Sequence, residues 1–212
     1  MDEASKAEER LDRIRRDADN PDATRRLYGE WAESYDAELT ELHGYVAPQA
    51  TARALADLMT DRSAPILDVG CGTGLVGQAL AERGCSCIDG IDISAEMLLE
   101  AGKKGVYRAL WSEDLLQGAS AEDDSYAAVI GVGVFSRQLL PPPVFDELVR
   151  LVRPGGHLAL VVRGDQFEAD GFAEKMRELE ENGRWRVLTR ASVSYLDALG
   201  ERGDLILAAV PA

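Results

Sequence analysis

From Ala64 to the end of the chain, short apolar runs alternate with segments whose apolar residues recur at helical spacing, and few architectures satisfy that alternation. Runs without polar alternation belong to strands buried on both faces, which need helices on either side of the sheet. The pattern predicts strands over 65–69, 86–91, 106–110, 127–132, 157–162, 186–194 and 205–210. Helices are expected over 75–83, 95–101, 143–152 and 167–182, with Pro154-Gly155-Gly156 as a turn feeding the fifth strand. Too few residues join the last two strands for a parallel crossover, so one of that pair must run antiparallel. The expected fold is therefore α/β: a Rossmann-like, seven-stranded, mostly parallel sheet with one antiparallel strand, helices on both faces and an N-terminal helical cap.

The cap is assigned to 1–60 and the core to 61–212. Asn20-Pro21 reads as a helix start, and Leu27, Trp31 and Tyr35 follow at intervals of four. Gly44 is expected to end that region, and a second helix to run over 48–59 with Ala50, Ala54, Leu55 and Leu58 on its apolar face. Before it, Met1 to Asp19 carries only a thin stripe of Leu11, Ile14 and Ala18, a loosely docked or frayed helix. That start is charged rather than a signal peptide, and no apolar run reaches the length of a membrane span, which places the protein in the cytoplasm by default.

A formal charge of −15, from 38 acids against 23 Lys and Arg, opposes nucleic acid and anionic membranes as partners. The basic clusters Arg13/Arg15/Arg16 and Arg25/Arg26 alternate with acids and read as solvated faces. Three cysteines read as reduced small hydrophobes, with Cys85 and Cys87 on one face of a strand. Two histidines, and no clustered Cys/His ligand spacing, predict no metal. Oligomeric state is not legible.

The chemistry concentrates in "PILDVGCGTGLVGQAL", where Gly70, Cys71, Gly72 and Gly74 follow the first strand. Ligands of such sheets bind beyond the carboxyl ends of the strands, and bare backbone followed by a helix start offers N–H groups to an anion. Gly72 to Gly77 also satisfies GxGxxG, a dinucleotide pattern. Asp68 argues otherwise, since a carboxylate two residues before Gly70 would repel a pyrophosphate. A cationic ligand fits better, and S-adenosylmethionine carries both a sulfonium and an α-ammonium. Asp92, ending the second strand in "CIDGIDIS", can accept both ribose hydroxyls, or else serves the helix that starts near Ser94. Asp89 ranks below it. Asp114 and Leu115, with Glu113 as a competitor, can meet the adenine edge, and Ile93 and Met97 its faces.

Together "ILDVGCGTG", "GIDIS", "EML", the "DL" at Asp114 and "LVRPGGHLAL" resemble the class I S-adenosylmethionine-dependent methyltransferase family across the core from Ala64 to Val162. The resemblance implies a seven-stranded sheet whose last-inserted strand is antiparallel. It also implies that Asp68 and Gly70, Gly72 and Gly74 surround the methionine moiety while Asp92 binds ribose. S-adenosylmethionine would be the cofactor and S-adenosylhomocysteine the product. "LYGEWAESYDAEL", "YVAP" and "GVGVFS" further resemble a subgroup of small methyltransferases that includes the Williams-Beuren-region methyltransferase-like proteins. By that analogy Tyr28, Trp31 and Tyr35 would cap the cofactor, their faces against the sulfonium, or else pack as an amphipathic stripe. The chain departs from the family pattern at Tyr126-Ala127 and around Phe135-Ser136-Arg137. Gly131 and Val132, expected at the end of the fourth strand, are candidates for backbone contact.

The expected reaction is in-line methyl transfer to a small-molecule acceptor, for which alignment and exclusion of water suffice unless a proton must be removed. His43, in the cap beside Tyr45, is the candidate base; the alternative is a helix C-terminal cap next to Gly44. Arg137 and Arg163 could clamp an acidic acceptor, and Ser136 could bond it. An NAD-linked oxidoreductase, a non-catalytic cofactor- or partner-binding protein, and a methyltransferase of protein or RNA are the competing readings.

Overall fold

The structure, a computed structural model, describes residues 9, 10, 13 and 21–212. The expectations for Leu11, Ile14, Arg15, Arg16 and Ala18 lie outside the described residues. Helix α1 (Pro21–Ala37) runs into a single π-helical turn (Glu38–Leu42), and Gly44, at φ +64°, ends that helical region. Helix α2 (Ala47–Leu58) follows and buries Ala52, Leu55 and Ala56.

The core then alternates β1 (Ile66–Val69), α3 (Leu75–Ala81), β2 (Ile88–Asp92), α4 (Ala95–Lys103), β3 (Ala109–Ser112), β4 (Tyr126–Phe135), α5 (Val144–Leu151), β5 (Val152–Arg163), α6 (Phe172–Glu181), β6 (Arg186–Leu196) and β7 (Glu201–Ala209). The seven strands form one sheet of order β3-β2-β1-β4-β5-β7-β6, parallel throughout except that β7 runs antiparallel to both β5 and β6. Strand order reverses between β1 and β4, and ligands of open α/β sheets bind in the crevice opened at that point.

Neighbouring residues of β1 show why its apolar run is unbroken. Leu67 joins a core with Phe145, Leu148 and Trp185 on one face of the sheet. Ile66 joins Leu55, Leu80 and Ile88 on the other, and both residues are fully buried. Each face is covered by helix, so neither side of the strand meets water.

Several boundaries differ from the pattern in the sequence. β3 starts three residues after the expected strand, because Tyr107 and Arg108 are spent on side-chain bonds to Asp68 and to Asp89. The helix expected over 167–182 is broken into a short turn (Gly164–Phe167) and α6, with Gly171 at φ +89° between them. Cys85 and Cys87 precede β2 rather than sharing one face of it; Cys85 is buried and Cys87 half-buried. Pro154-Gly155-Gly156 lies inside β5 as an irregular stretch, where pairing jumps from Tyr126 with Val152 to Ala128 with His157. The Gly155 N–H donates to the Val210 carbonyl, and the Val210 N–H donates to the Gly156 carbonyl.

Candidate functional site

The loop after β1 is held from two sides. Beneath it Asp68, 1% exposed, accepts a hydrogen bond from the Tyr107 hydroxyl at 2.7 Å, and that hydroxyl accepts the Gly77 N–H at 3.2 Å. A Cβ on Gly77 would lie 2.3 Å from the Tyr107 ring, and one on Gly74 3.0 Å from it, so these two glycines admit the tyrosine. Gly72 is different: it stands at φ +54° with open space where its Cβ would be, and it faces a cavity. Beside it, the Asp92 carboxylate accepts the Gly72 N–H at 2.9 Å through one oxygen and the Ser94 N–H at 2.8 Å through the other. The cap of α4 is Ser94, whose Oγ accepts the Met97 N–H, so Asp92 is left directed at the cavity rather than serving as the N-cap.

That cavity, about 300 Å³, brings together Gly70, Gly72, Asp92, Ile93, Met97 and the pair Asp114 and Leu115. Asp114 uses one oxygen to accept the Leu116 N–H and start a 3₁₀ turn. Glu113 also lines the cavity, with its oxygens taken by Trp111 Nε1 and the Ser120 N–H. Asp89, buried at 3%, is spent on Arg108 and on the Tyr126 hydroxyl.

A second cavity of about 450 Å³ adjoins the first, and Tyr28, Tyr35, Gly133, Gln138 and Leu139 line both. The junction depends on a bulge in β4. Val132 pairs with Val161 and Phe135 with Val162, which leaves Gly133 and Val134 extra, and Gly133 adopts φ +80°. The hydroxyls of Tyr45 and Tyr195 converge on the same spot: a Cβ on Gly133 would lie 2.6 Å and 3.1 Å from them. Trp31 lines only the larger cavity, its Nε1 donating to Glu38, and its ring stands edge-on to Tyr35 with centroids 4.8 Å apart. Helix α1 is fastened over the glycine loop by Asp36, which bonds Thr73 of that loop and Lys104 after α4.

Five of the expected cofactor and base residues line neither cavity: His43, Gly131, Asp68, Cys71 and Gly74, the last admitting the Tyr107 ring. His43 is 5% exposed and lines neither: its carbonyl accepts the Ala198 N–H and its backbone N–H closes the π turn, while Nε2 has no partner. It therefore touches no reacting atom there, and nothing else in either cavity is a histidine. Gly131 is covered by Phe135, whose ring would lie 2.7 Å from a Cβ there, and Gly133 takes the place expected of it. Asp68 and Cys71 sit under the loop. Burial pushes the Asp68 carboxyl up to about 7, and its Oδ1 has no partner. Burial likewise keeps the Cys71 thiol protonated. Burial also raises Asp92, against the pull of its backbone donors.

Of the two arginines, Arg163 lines the larger cavity, bonded to Asp165 at 2.7 Å, whereas Arg137 is turned to Asp170 and the Ala169 carbonyl. Ser136 lines the larger cavity and accepts the Leu139 N–H. Tyr195 and Gly133 were not singled out by sequence. Gly-Val-Gly inside a strand pattern is a bulge signal that would have marked Gly133.

An adenosyl cofactor fits this donor set. The half-buried Asp92 carboxylate faces the smaller cavity beside the open Gly72, and apolar Ile93 and Met97 line it together with polar Asp114.

Residues 66–156 match the methyltransferase domain family. The chain is 31% identical over 188 residues to methyltransferase-like protein 27 of Homo sapiens, covering 85% of this chain and 76% of that protein. It is 30% identical over 155 residues to the ubiquinone biosynthesis O-methyltransferase of Alkalilimnicola ehrlichii, where the match spans 67% of this chain and 60% of that protein. Among solved structures, a putative methyltransferase in complex with the Haloferax volcanii Trm112 methyltransferase activator superposes with TM-score 0.66 at 19% identity, covering 87% of this chain and 98% of that one. A geranyl diphosphate methyltransferase in complex with S-adenosylmethionine gives 0.57 at 20% identity, over 84% and 90%. At those identities the structures speak for the fold.

Proposed function

This chain belongs to the class I S-adenosylmethionine-dependent methyltransferase family, and from that premise we propose that it methylates a small molecule held in the larger of its two cavities. The NAD-linked and non-catalytic readings give way to the family membership. One observation carries the proposal: the two cavities share a wall at Gly133 and the Tyr28/Tyr35 pair, so a cofactor in one and an acceptor in the other meet there.

S-adenosylmethionine supplies an electrophilic methyl group on a sulfonium. The protein's residues bind and align it. Asp92 keeps lone pairs for the ribose hydroxyls beyond the two it gives to Gly72 and Ser94. Gly72 lets backbone approach the ligand, Asp114 and Leu115 meet the adenine edge, and Ile93 and Met97 its faces. Asp68 and Cys71 act from below by holding the loop, and Gly74 by admitting Tyr107. Tyr28 and Tyr35 close the junction, their ring faces favouring a cation, while Trp31 braces them. Water is excluded by α1, which lies over both cavities.

A cavity of this size under a helical cap suits a small acceptor, and the charge of −15 disfavours RNA. The test is to incubate the protein and methyl-labelled S-adenosylmethionine with a cell extract and separate the products by size. A labelled low-mass product separable from S-adenosylmethionine and absent when this protein is omitted is expected, and protein-dependent label confined to protein or RNA would refute the small-molecule acceptor.

A further inference from the structure

Aromatic rings form a large part of the wall of the larger cavity, beside aliphatic residues and the charged Arg163, Asp165 and Glu201. Tyr28, Trp31 and Tyr35 come from α1, Tyr45 from the segment before α2, Phe135 from β4 and Tyr195 from β6. Aromatic side chains pack favourably against a flat aromatic ring, edge-on or offset-stacked. At the junction the polar side chains are tyrosine hydroxyls and the Gln138 amide. The Tyr45 and Tyr195 hydroxyls both face the point beside Gly133, and a phenol hydroxyl there can donate to a ligand oxygen.

The groups facing this point decide what can react there. Burial holds the phenols of Tyr28, Tyr35, Tyr45 and Tyr195 protonated, so they are donors and not bases. Arg163, at the end of β5, places positive charge toward both Tyr195 and Tyr28. The carboxylates Asp165 and Glu201 are themselves drawn to Arg163. His43 lies elsewhere. Asp165 and Glu201 act on Tyr195 as well, and Asp92 on Tyr28 and Tyr35, so charge of both signs faces the junction; the protonated tyrosines there cannot take an acceptor's proton, and an acceptor that arrives already ionised needs none taken.

We propose that the acceptor is a planar aromatic hydroxyl compound reacting as its oxyanion, with the Tyr195 hydroxyl donating a hydrogen bond to that oxygen beside Gly133. The acceptor's proton goes to water on binding. Its oxygen forms the bond to the methyl carbon, the carbon–sulfur bond breaks, and the electron pair leaves on sulfur. This rests on the larger cavity being the acceptor site of a methyltransferase.

The experiment uses the full chain loaded with S-adenosylhomocysteine, whose binding is first established by its own thermal shift, and 4-nitrophenol as a probe whose ionisation is visible in its spectrum. The bound probe should remain ionised at lower pH than the free probe. Tyr195→Phe should weaken that ionisation by roughly 10- to 100-fold, the worth of a hydrogen bond to a charged oxygen, with S-adenosylhomocysteine binding unchanged. Tyr45→Phe should have a smaller effect of the same sign, a second reading should the first variant fold poorly. A bound probe that is neutral, no binding of the probe, an ionisation indifferent to both substitutions, or tighter binding of benzylamine or benzoate would overturn the proposal while leaving the cofactor reading intact. Failure of S-adenosylhomocysteine itself to bind would bring down both.

Discussion

Asp68 places an ionisable group where neither water nor a ligand-facing wall reaches it. Its carboxyl is raised from 3.8 to about 7, chiefly by burial, so the folded state holds a proton that the unfolded chain releases. Between those two values the native protein binds more protons than the unfolded one, and stability falls as pH rises through that window, levelling off above it. Asp68→Asn removes the penalty and keeps the shape. Urea unfolding of the two proteins should show the variant gaining on the parent between about pH 4 and 7, by roughly 4 kcal/mol at most; curves that stay parallel would mean the carboxyl ionises normally. Residue identity alone made Asp92 legible, because an acid at the end of the second strand faces the crevice whatever the details. At His43 it left two readings open, a base or a helix C-terminal cap, and the second holds: His43 caps the π turn, its N–H on the Glu38 carbonyl, and lines neither cavity. The slip from Gly131 to Gly133 has a physical cause as well: a bulge adds two residues to β4, and periodicity assumes none.

Elements were legible wherever burial on both faces or a short connection dictated them, as in β1, β4 and the β6–β7 hairpin. β3 and the broken helix around Gly171 were displaced by side-chain commitments and a left-handed residue that hydrophobic spacing does not register. Helix α1 showed its stripe in sequence, but not that Tyr28, off the stripe, would meet Tyr35 between two cavities. Its docking rests in part on Asp36, bonded to Thr73 of the glycine loop and paired with Lys104. With both partners only partly exposed, the ion pair is worth about 1 kcal/mol, and the hydroxyl bond adds to it. Asp36→Ala should therefore speed release of S-adenosylhomocysteine by several-fold and raise amide exchange across 28–37, with exchange in β1 and β4 unchanged. Unaltered release would show that the cap moves independently of this tie.

At the scale of the molecule, function follows from topology. Strand order reverses between the parallel β1 and β4, the glycine loop and the β4 bulge emerge there side by side, and α1 reaches both cavities. The sequence order of loop, Asp92 and Asp114 was readable because all three follow consecutive strands of that half-sheet. The larger cavity was not, being assembled from α1, β4, β5, β6 and β7, segments far apart in the chain. The account stands on the smaller cavity being the cofactor site, with Asp92 central to it. Thermal unfolding of the parent protein and Asp92→Ala, each with and without S-adenosylhomocysteine, tests this most directly. At about 100 times its dissociation constant the ligand should add roughly 2.7 kcal/mol to the parent, a rise of several degrees, and little to the variant at the same concentration. An equal rise in both would contradict the assignment of Asp92, and no rise in the parent would contradict the site itself.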